Sequence, residues 1–148
     1  MADTPDPPRP RVIALTDIPF WESAFGSHAR LSALFGALSE ATDFSVLSFS
    51  TGVADAAASL PMRVASYEEV SRDAPKPSGA PPGSPMSQWR LMRPRARPDW
   101  LEATRRHLSA ERPDAVIVEY LDRAWLLDAV PPGPVTVLDA HDVMSQRT

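Results

Sequence analysis

Apolar residues are grouped along the chain in two alternating patterns. Short, nearly continuous apolar runs, typical of buried parallel strands, lie at residues 12–16, 44–49, 115–118 and 135–138, with a weaker run at 62–65. Helices are predicted between them, over about 28–41, 54–58, 98–111 and 123–130. Alternating strands and helices predict an α/β fold, a Rossmann-like three-layer domain with a mainly parallel sheet and its weakest strand at an edge.

The order of the strands in the sheet determines where a ligand would bind. If the order is 3-2-1-4-5, the sheet reverses its direction of growth between the first and fourth strands, and ligands bind outside the strand carboxyl ends near such a reversal. The loops that would meet there are residues 17–27, 119–123 and 139–147. They carry most of the aromatic and ionisable side chains outside an arginine cluster at 90–97. The pattern therefore predicts one cleft at this edge.

Proline marks the boundaries of the domain. The chain has 17 prolines, gathered near the start and in the middle, where they prevent helices and sheet ladders. Residues 1–10 are expected to be a disordered leader and residues 73–87 a flexible Pro/Gly-rich loop. Residues 11–148 then form a single domain, since 148 residues suffice for one sizeable core.

Composition excludes several classes of function. A net charge of -4 gives no reason to expect a nucleic-acid partner, and the lack of cysteine excludes thiolate chemistry and cysteine-ligated zinc. No apolar run approaches the roughly 20 residues of a membrane span, and the proline- and acid-rich start is unlike a signal peptide. We therefore expect a cytoplasmic protein. The arginines at 90–97 fit a solvated loop best, with an anionic acceptor, a partner or peripheral contact with the inner membrane as alternatives.

Ionisable residues follow the last predicted strand abruptly. Asp139, His141 and Asp142 would lie together at its carboxyl end. His141 is a candidate general base, metal ligand or hydrogen-bond donor, and a purely structural histidine is the alternative. A metal site is not expected, because the other two histidines fall on predicted helices and no ligand spacing is visible.

Two more strand ends supply candidates for the same cleft. Four residues that could line the cleft follow the fourth strand: Glu119, Tyr120, Asp122 and Arg123. Asp122 is better explained as the cap of a short helix. Gly26 and Ser27, just before the first helix, would offer free N–H groups to a phosphate or a sugar hydroxyl, unless they form only a tight turn and an N-cap. Trp21, Trp100 and Trp125 are expected to be packing residues, and of these Trp21 is the candidate to face the cleft. No dinucleotide or P-loop glycine motif is present, so no cofactor is predicted.

Three segments resemble the amino-terminal domain of family-four-like glycosyltransferases of the GT-B type. The opening, Arg11-Val12-Ile13-Ala14-Leu15 through Phe20-Trp21, Gly26-Ser27 and Arg30-Leu31, is similar to the start of that domain. Residues 113–119 resemble the family's strand pattern "pDvvhvh". Residues 138–147 resemble its "lDxHDvxsxR" segment. The resemblance covers nearly the whole chain outside the leader and the proline loop.

The resemblance implies an activity and a separate role for each of two domains. In that family the amino-terminal domain binds a glycan or lipid-linked acceptor, a carboxy-terminal domain holds the nucleotide-sugar donor, and catalysis needs no metal. Gly26 would approach the donor phosphates, His141 would contact the transferred sugar, and Asp142 and Arg147 would support the loop or the acceptor. These 148 residues do not include a donor-binding domain, so the chain alone is expected to be inactive, because a half-site cannot hold both reactants.

Two other functions remain open at the level of sequence. The first is a stand-alone module that binds a carbohydrate or a protein through the same cleft without catalysis. The second is a flavodoxin-like regulatory or structural domain, which would need an acidic pocket at the first and third strand ends. The single Asp17 after the first strand gives that alternative little support.

Overall fold

A computed structural model describes residues 7–22, 26–50, 60–70 and 97–140 of the chain. These residues form five strands and two α-helices, with a 3-10 helix between the fourth and fifth strands. The elements are β1 (Arg11–Thr16), α1 (Gly26–Ala41), β2 (Asp43–Ser48), β3 (Ser66–Glu69), α2 (Pro98–Glu111), β4 (Ala115–Glu119), the 3-10 helix (Leu121–Ala129) and β5 (Val135–Asp139).

All five strands pair in parallel, in the order β3-β2-β1-β4-β5. The predicted α/β class and strand order are therefore confirmed. The sheet grows from β1 toward β2 and β3 on one side and toward β4 and β5 on the other. The strand carboxyl ends nearest this reversal belong to β1 and β4, as the apolar runs predict.

Each face of the sheet has its own apolar core, because successive strand residues point to opposite faces. On the first face, Val12 and Ala14 of β1 pack with Leu31 and Phe35 of α1. A second cluster, on the opposite face, contains β1, α2 and 3-10 helix residues, among them Ile13, Leu15, Trp100, Leu108 and Leu126. The helices thus cover opposite faces, which makes the expected three-layer arrangement.

The prediction for the third strand is wrong in position. The strand is Ser66–Glu69, whereas the apolar run at 62–65 precedes it, and Met62 and Val64 of that run pack against the first-face core. The strand does lie at a sheet edge, as expected. An edge strand buries little, so apolar content gives a poor signal for it.

The prediction of Asp122 as a helix cap is also wrong. The 3-10 helix begins at Leu121, one residue before Asp122. Its N-cap is Tyr120, and no side chain caps it with a hydrogen bond. Asp122 lies in the first turn and accepts a hydrogen bond from Arg123 Nη1 at 2.8 Å. The helix predicted at 54–58, the loop at 73–87 and most of the leader fall outside the described residues.

Candidate functional site

The last residue of every strand is polar, and these five side chains share one face of the sheet. Register pairs Thr16 with Ser48, Ser48 with Glu69, and Glu119 with Asp139. Partners in register point to the same face. Residues two positions earlier, such as Ala14 and Ile117, lie in the apolar core of the first face, which α1 covers and which we call the α1-side core. We call this set the polar row, and across the sheet its members are Glu69, Ser48, Thr16, Glu119 and Asp139.

Glu119 is the buried carboxyl of the polar row. Its exposed fraction is 0%, and within the described chain neither carboxyl oxygen has a hydrogen-bond partner. Burial, together with the negative charge of Asp139, raises the pKa of Glu119 to about 7, although the positive charge of Arg30 acts to lower it. The group can therefore hold or release a proton near neutral pH.

Arg30 and Asp139 form an ion pair beside Glu119. Arg30 Nη2 of α1 donates to Asp139 Oδ2 at the end of β5, which links two elements 109 residues apart in sequence. The Arg30 side chain is 41% exposed, whereas that of Asp139 is 17% exposed. Both members of the pair act electrostatically on Glu119, and Arg30 is the more exposed of the two.

A second ion-pair cluster joins the carboxyl end of β1 to the 3-10 helix. Arg123 donates through Nη2 to Asp17 and through Nη1 to Asp122, and all three side chains are mostly buried. The guanidinium also lies 5.9 Å from the centre of the Trp100 ring. Together with the polar row, this cluster makes the carboxyl edge around β1 and β4 rich in ionised side chains.

Tyr120 and Trp21 both lie at this edge but largely serve packing. Each is half-buried against the α1-side core, and Trp21 makes edge-to-face contacts with Phe20 and Tyr67. Tyr120 has a φ of 69°, which L-residues with a side chain rarely adopt, and its N–H donates to the Asp139 carbonyl at 2.9 Å. Strained backbone of this kind concentrates at functional sites.

Gly26 and Ser27 lie inside helix α1, not before it. The expectation that they precede the helix, as a tight turn and an N-cap would require, is therefore wrong. A Cβ on Gly26 would meet nothing within 4 Å, so its lack of a side chain is not required by packing. The first turn of α1 still presents N–H groups that have no partner within the helix, near the polar row.

The remaining sequence candidates, His141, Asp142 and Arg147, lie outside the described residues. Their roles stay predictions. Asp139, directly upstream of them, is at the expected strand end. Across the described ranges, no group of three or more histidine, aspartate or glutamate side chains is placed to hold a metal ion.

The sequence places Arg123 among the candidates for this cleft, but it does not indicate that Arg123 and Arg30 form the ion pairs that organise this edge. Arg30 lies on a helix and Arg123 in a short one, and each pairs with a carboxylate more than a hundred residues away. Their separation leaves no local signal. The neighbouring positions of Glu119 and Asp139, by contrast, follow from strand order and register alone.

A further ionised cluster, also missed, lies on the α2 side. Glu68 of β3 accepts from Arg106 Nη2 at 2.7 Å and contacts His107 Nδ1 at 2.8 Å. Burial opposes ionisation of Glu68, but the hydrogen bonds from Arg106 and His107 outweigh it, and its pKa is lowered. This cluster ties the edge strand to α2 and is distant from the polar row because Glu68 points to the other face.

Comparison with known proteins adds little on function. No protein-family model and no curated protein matches the chain. Among solved structures, the C-terminal domain of a hydrogenase from Pyrococcus furiosus is similar, with a TM-score of 0.49 and 15% identity, over 94% of this chain and 98% of that one. A similarity of this size gives no information on activity. Within the described segments, no helix is long and apolar enough to cross a membrane.

Proposed function

We propose that this chain is the acceptor-side domain of a glycosyltransferase that moves a sugar from a nucleotide-sugar donor to a glycan or lipid-linked acceptor. The observation that carries the proposal is the polar row, which gathers hydrogen-bonding side chains where a parallel sheet of this order binds ligands. The resemblance of residues 11–31, 113–119 and 138–147 to the GT-B amino-terminal domain supports the same function.

The side chains at this edge suit a hydroxyl-rich ligand. Glu119 and Asp139 of the polar row supply carboxyl oxygens, and Thr16 supplies a hydroxyl group. These oxygens accept hydrogen bonds from sugar hydroxyls. This chemistry supports acceptor binding at this edge.

Binding of simple sugars to the purified chain tests the proposal. Methyl glycosides of glucose, mannose, galactose and N-acetylglucosamine are titrated into isotope-labelled protein, and amide shifts are followed by NMR. We expect at least one glycoside to shift the amides of residues 26–31, 119–120 and 139. The Arg30→Gln variant should weaken that binding, because it removes the partner that orients Asp139.

The matched control is Arg105→Gln, the same chemical change at an exposed position of α2 on the other face. It should leave the glycoside affinity unchanged. The proposal fails if none of the glycosides shifts these amides. Sugar transfer from UDP- or GDP-linked hexoses by the chain alone would contradict the assignment to the acceptor side only.

A further inference from the structure

We propose that Glu119 binds, as a neutral carboxyl group, two adjacent hydroxyls of the acceptor sugar. Its O–H donates to one hydroxyl, and its carbonyl oxygen accepts from the next. This inference rests on the proposed function, which it extends to a ligand class, a vicinal diol, and to the side chain that recognises it.

The first ground is the unused hydrogen-bonding capacity of Glu119. Buried polar groups in folded proteins are nearly always hydrogen-bonded, and those that are not call for an explanation. Both oxygens of Glu119 are fully buried with no partner in the described part of the chain, at the last position of β4. A ligand that reaches the carboxyl edge would supply the missing partners.

The second ground is the ion pair beside it. Asp139 is in register with Glu119 and faces the same side of the sheet, and it pairs with the more exposed Arg30. The ion pair therefore places further hydrogen-bonding groups beside Glu119, on the α1 side of the sheet, for other hydroxyls of the same ligand.

The surroundings explain why the carboxyl is neutral when it binds. The charged groups that act on Glu119 are Asp139 on β5 and Arg30 on α1, while β1 contributes the uncharged Thr16. Burial and Asp139 both disfavour the carboxylate, and Arg30 is held by Asp139. The pKa of about 7 leaves the group protonated in mildly acidic solution.

A neutral carboxyl group can donate a hydrogen bond to one hydroxyl of a vicinal diol and accept a hydrogen bond from the other. It offers one donor and one acceptor about 2.2 Å apart, and adjacent sugar hydroxyls can each donate or accept. A carboxylate would only accept. An unesterified phosphate is largely an acceptor and would meet the charge of Asp139, so it is a poorer ligand.

A pH dependence follows from this arrangement. If only the protonated form binds, the affinity is constant at low pH and falls about tenfold for each pH unit above the pKa of Glu119. Binding above that pH takes up a proton. The Glu119→Gln variant keeps a donor and an acceptor on the same shape, so its affinity should not change with pH.

The experiment is an NMR titration with the methyl glycosides named above, at half-unit steps from pH 5.5 to 8.5. The wild-type affinity should fall at least tenfold between pH 7 and 8.5, and Glu119→Gln should bind within about threefold of the wild-type value at pH 5.5. Glu119→Leu, which fills the space without polar atoms, should bind at least tenfold more weakly than the wild type does at pH 5.5, and its affinity should not change with pH. An unchanged dispersion of amide shifts verifies the fold of each variant.

The outcomes separate this inference from the proposed function. Glycoside binding that is unaffected by Glu119→Leu leaves the acceptor-side function standing and overturns the role of Glu119. A wild-type affinity that does not change with pH, or loss of binding in Glu119→Gln, also overturns it. If no glycoside binds, the proposed function itself fails, and this inference fails with it.

Discussion

The Glu119 carboxyl is buried and has no hydrogen bond from any residue that the structure describes, so its ionisation opposes folding. In the unfolded chain the pKa has its ordinary value of 4.5, and in the folded protein it is about 7. Between these values the folded protein binds more protons than the unfolded chain. The stability that the group contributes is therefore present below pH 4.5 and is lost as the pH rises through 7.

We accordingly expect Glu119→Gln to gain stability relative to the wild type as the pH rises. The difference in the free energy of unfolding between the two proteins should increase by on the order of 3 kcal/mol from pH 4.5 to 8, as the shift in pKa implies. Urea denaturation at unit steps of pH measures it. A difference that stays constant over this range would contradict the raised pKa.

Glu68 shows the opposite behaviour, since its pKa is lowered by Arg106 and His107. Its contribution to stability is present above the pKa of the unfolded chain and is lost as the pH falls through the lower, folded value. Because the side chain is 36% exposed, solvent screens the ion pairs, and Glu68→Gln should cost only about 1 kcal/mol at pH 7.

The cost should be smaller at pH 4 than at pH 7, because the stability from the lowered pKa of Glu68 is lost as the pH falls below the ordinary glutamate value. Glu102→Gln is the matched control, since Glu102 is exposed on the same helix α2, and it should change the free energy of unfolding by no more than a few tenths of a kcal/mol. Equal losses for Glu68→Gln at both pH values would mean that packing, rather than charge, explains the effect.

At the scale of elements, helix α2 ends on a residue type that the backbone conformation there does not favour. The helix is capped by Arg112 at φ 48°, and its N–H donates to the Leu108 carbonyl at 3.0 Å. The left-handed conformation strains every residue with a side chain and suits glycine, which is the usual residue at such a position. The backbone at Arg112 is therefore strained, and a glycine at this position would relieve the strain.

Arg112→Gly should raise the free energy of unfolding by about 0.5–1 kcal/mol, because it removes that strain and keeps the N–H bond. Thermal denaturation should show a higher melting temperature. Arg105→Gly, in the interior of the same helix, is the control and should lower stability by about 1 kcal/mol. A loss of stability in both variants would show that the Arg112 side chain itself stabilises the cap.

The elements also differ in how well sequence alone identifies them. The four buried strands follow from near-continuous runs such as Val12–Thr16, since strands covered on both faces are apolar throughout. Strand β3 escapes this pattern because Ser66–Glu69 is half-buried at an edge. The boundary of α1 was misjudged for a different reason, because Gly26 and Ser27 are weak helix formers that nonetheless form its first turn.

At the scale of the whole molecule, topology creates the site. The five residues of the polar row come from five separate segments, and they meet because each parallel strand ends at the same edge. The outer edge of the sheet is different, since Val135 and Val137 of β5 are exposed. The candidate ligand site at the strand ends is therefore polar, whereas the exposed edge strand β5 is apolar.

The sequence by itself determined the fold class, the strand order and the edge at which ionised residues gather. It could do so because apolar runs and right-handed crossovers leave few arrangements of parallel strands. The neighbouring positions of Glu119 and Asp139 also follow from it. Only the tertiary structure decided that Glu119 is fully buried and that Arg30 pairs with Asp139. Burial and long-range ion pairs depend on how helices dock on the sheet, which no local pattern encodes.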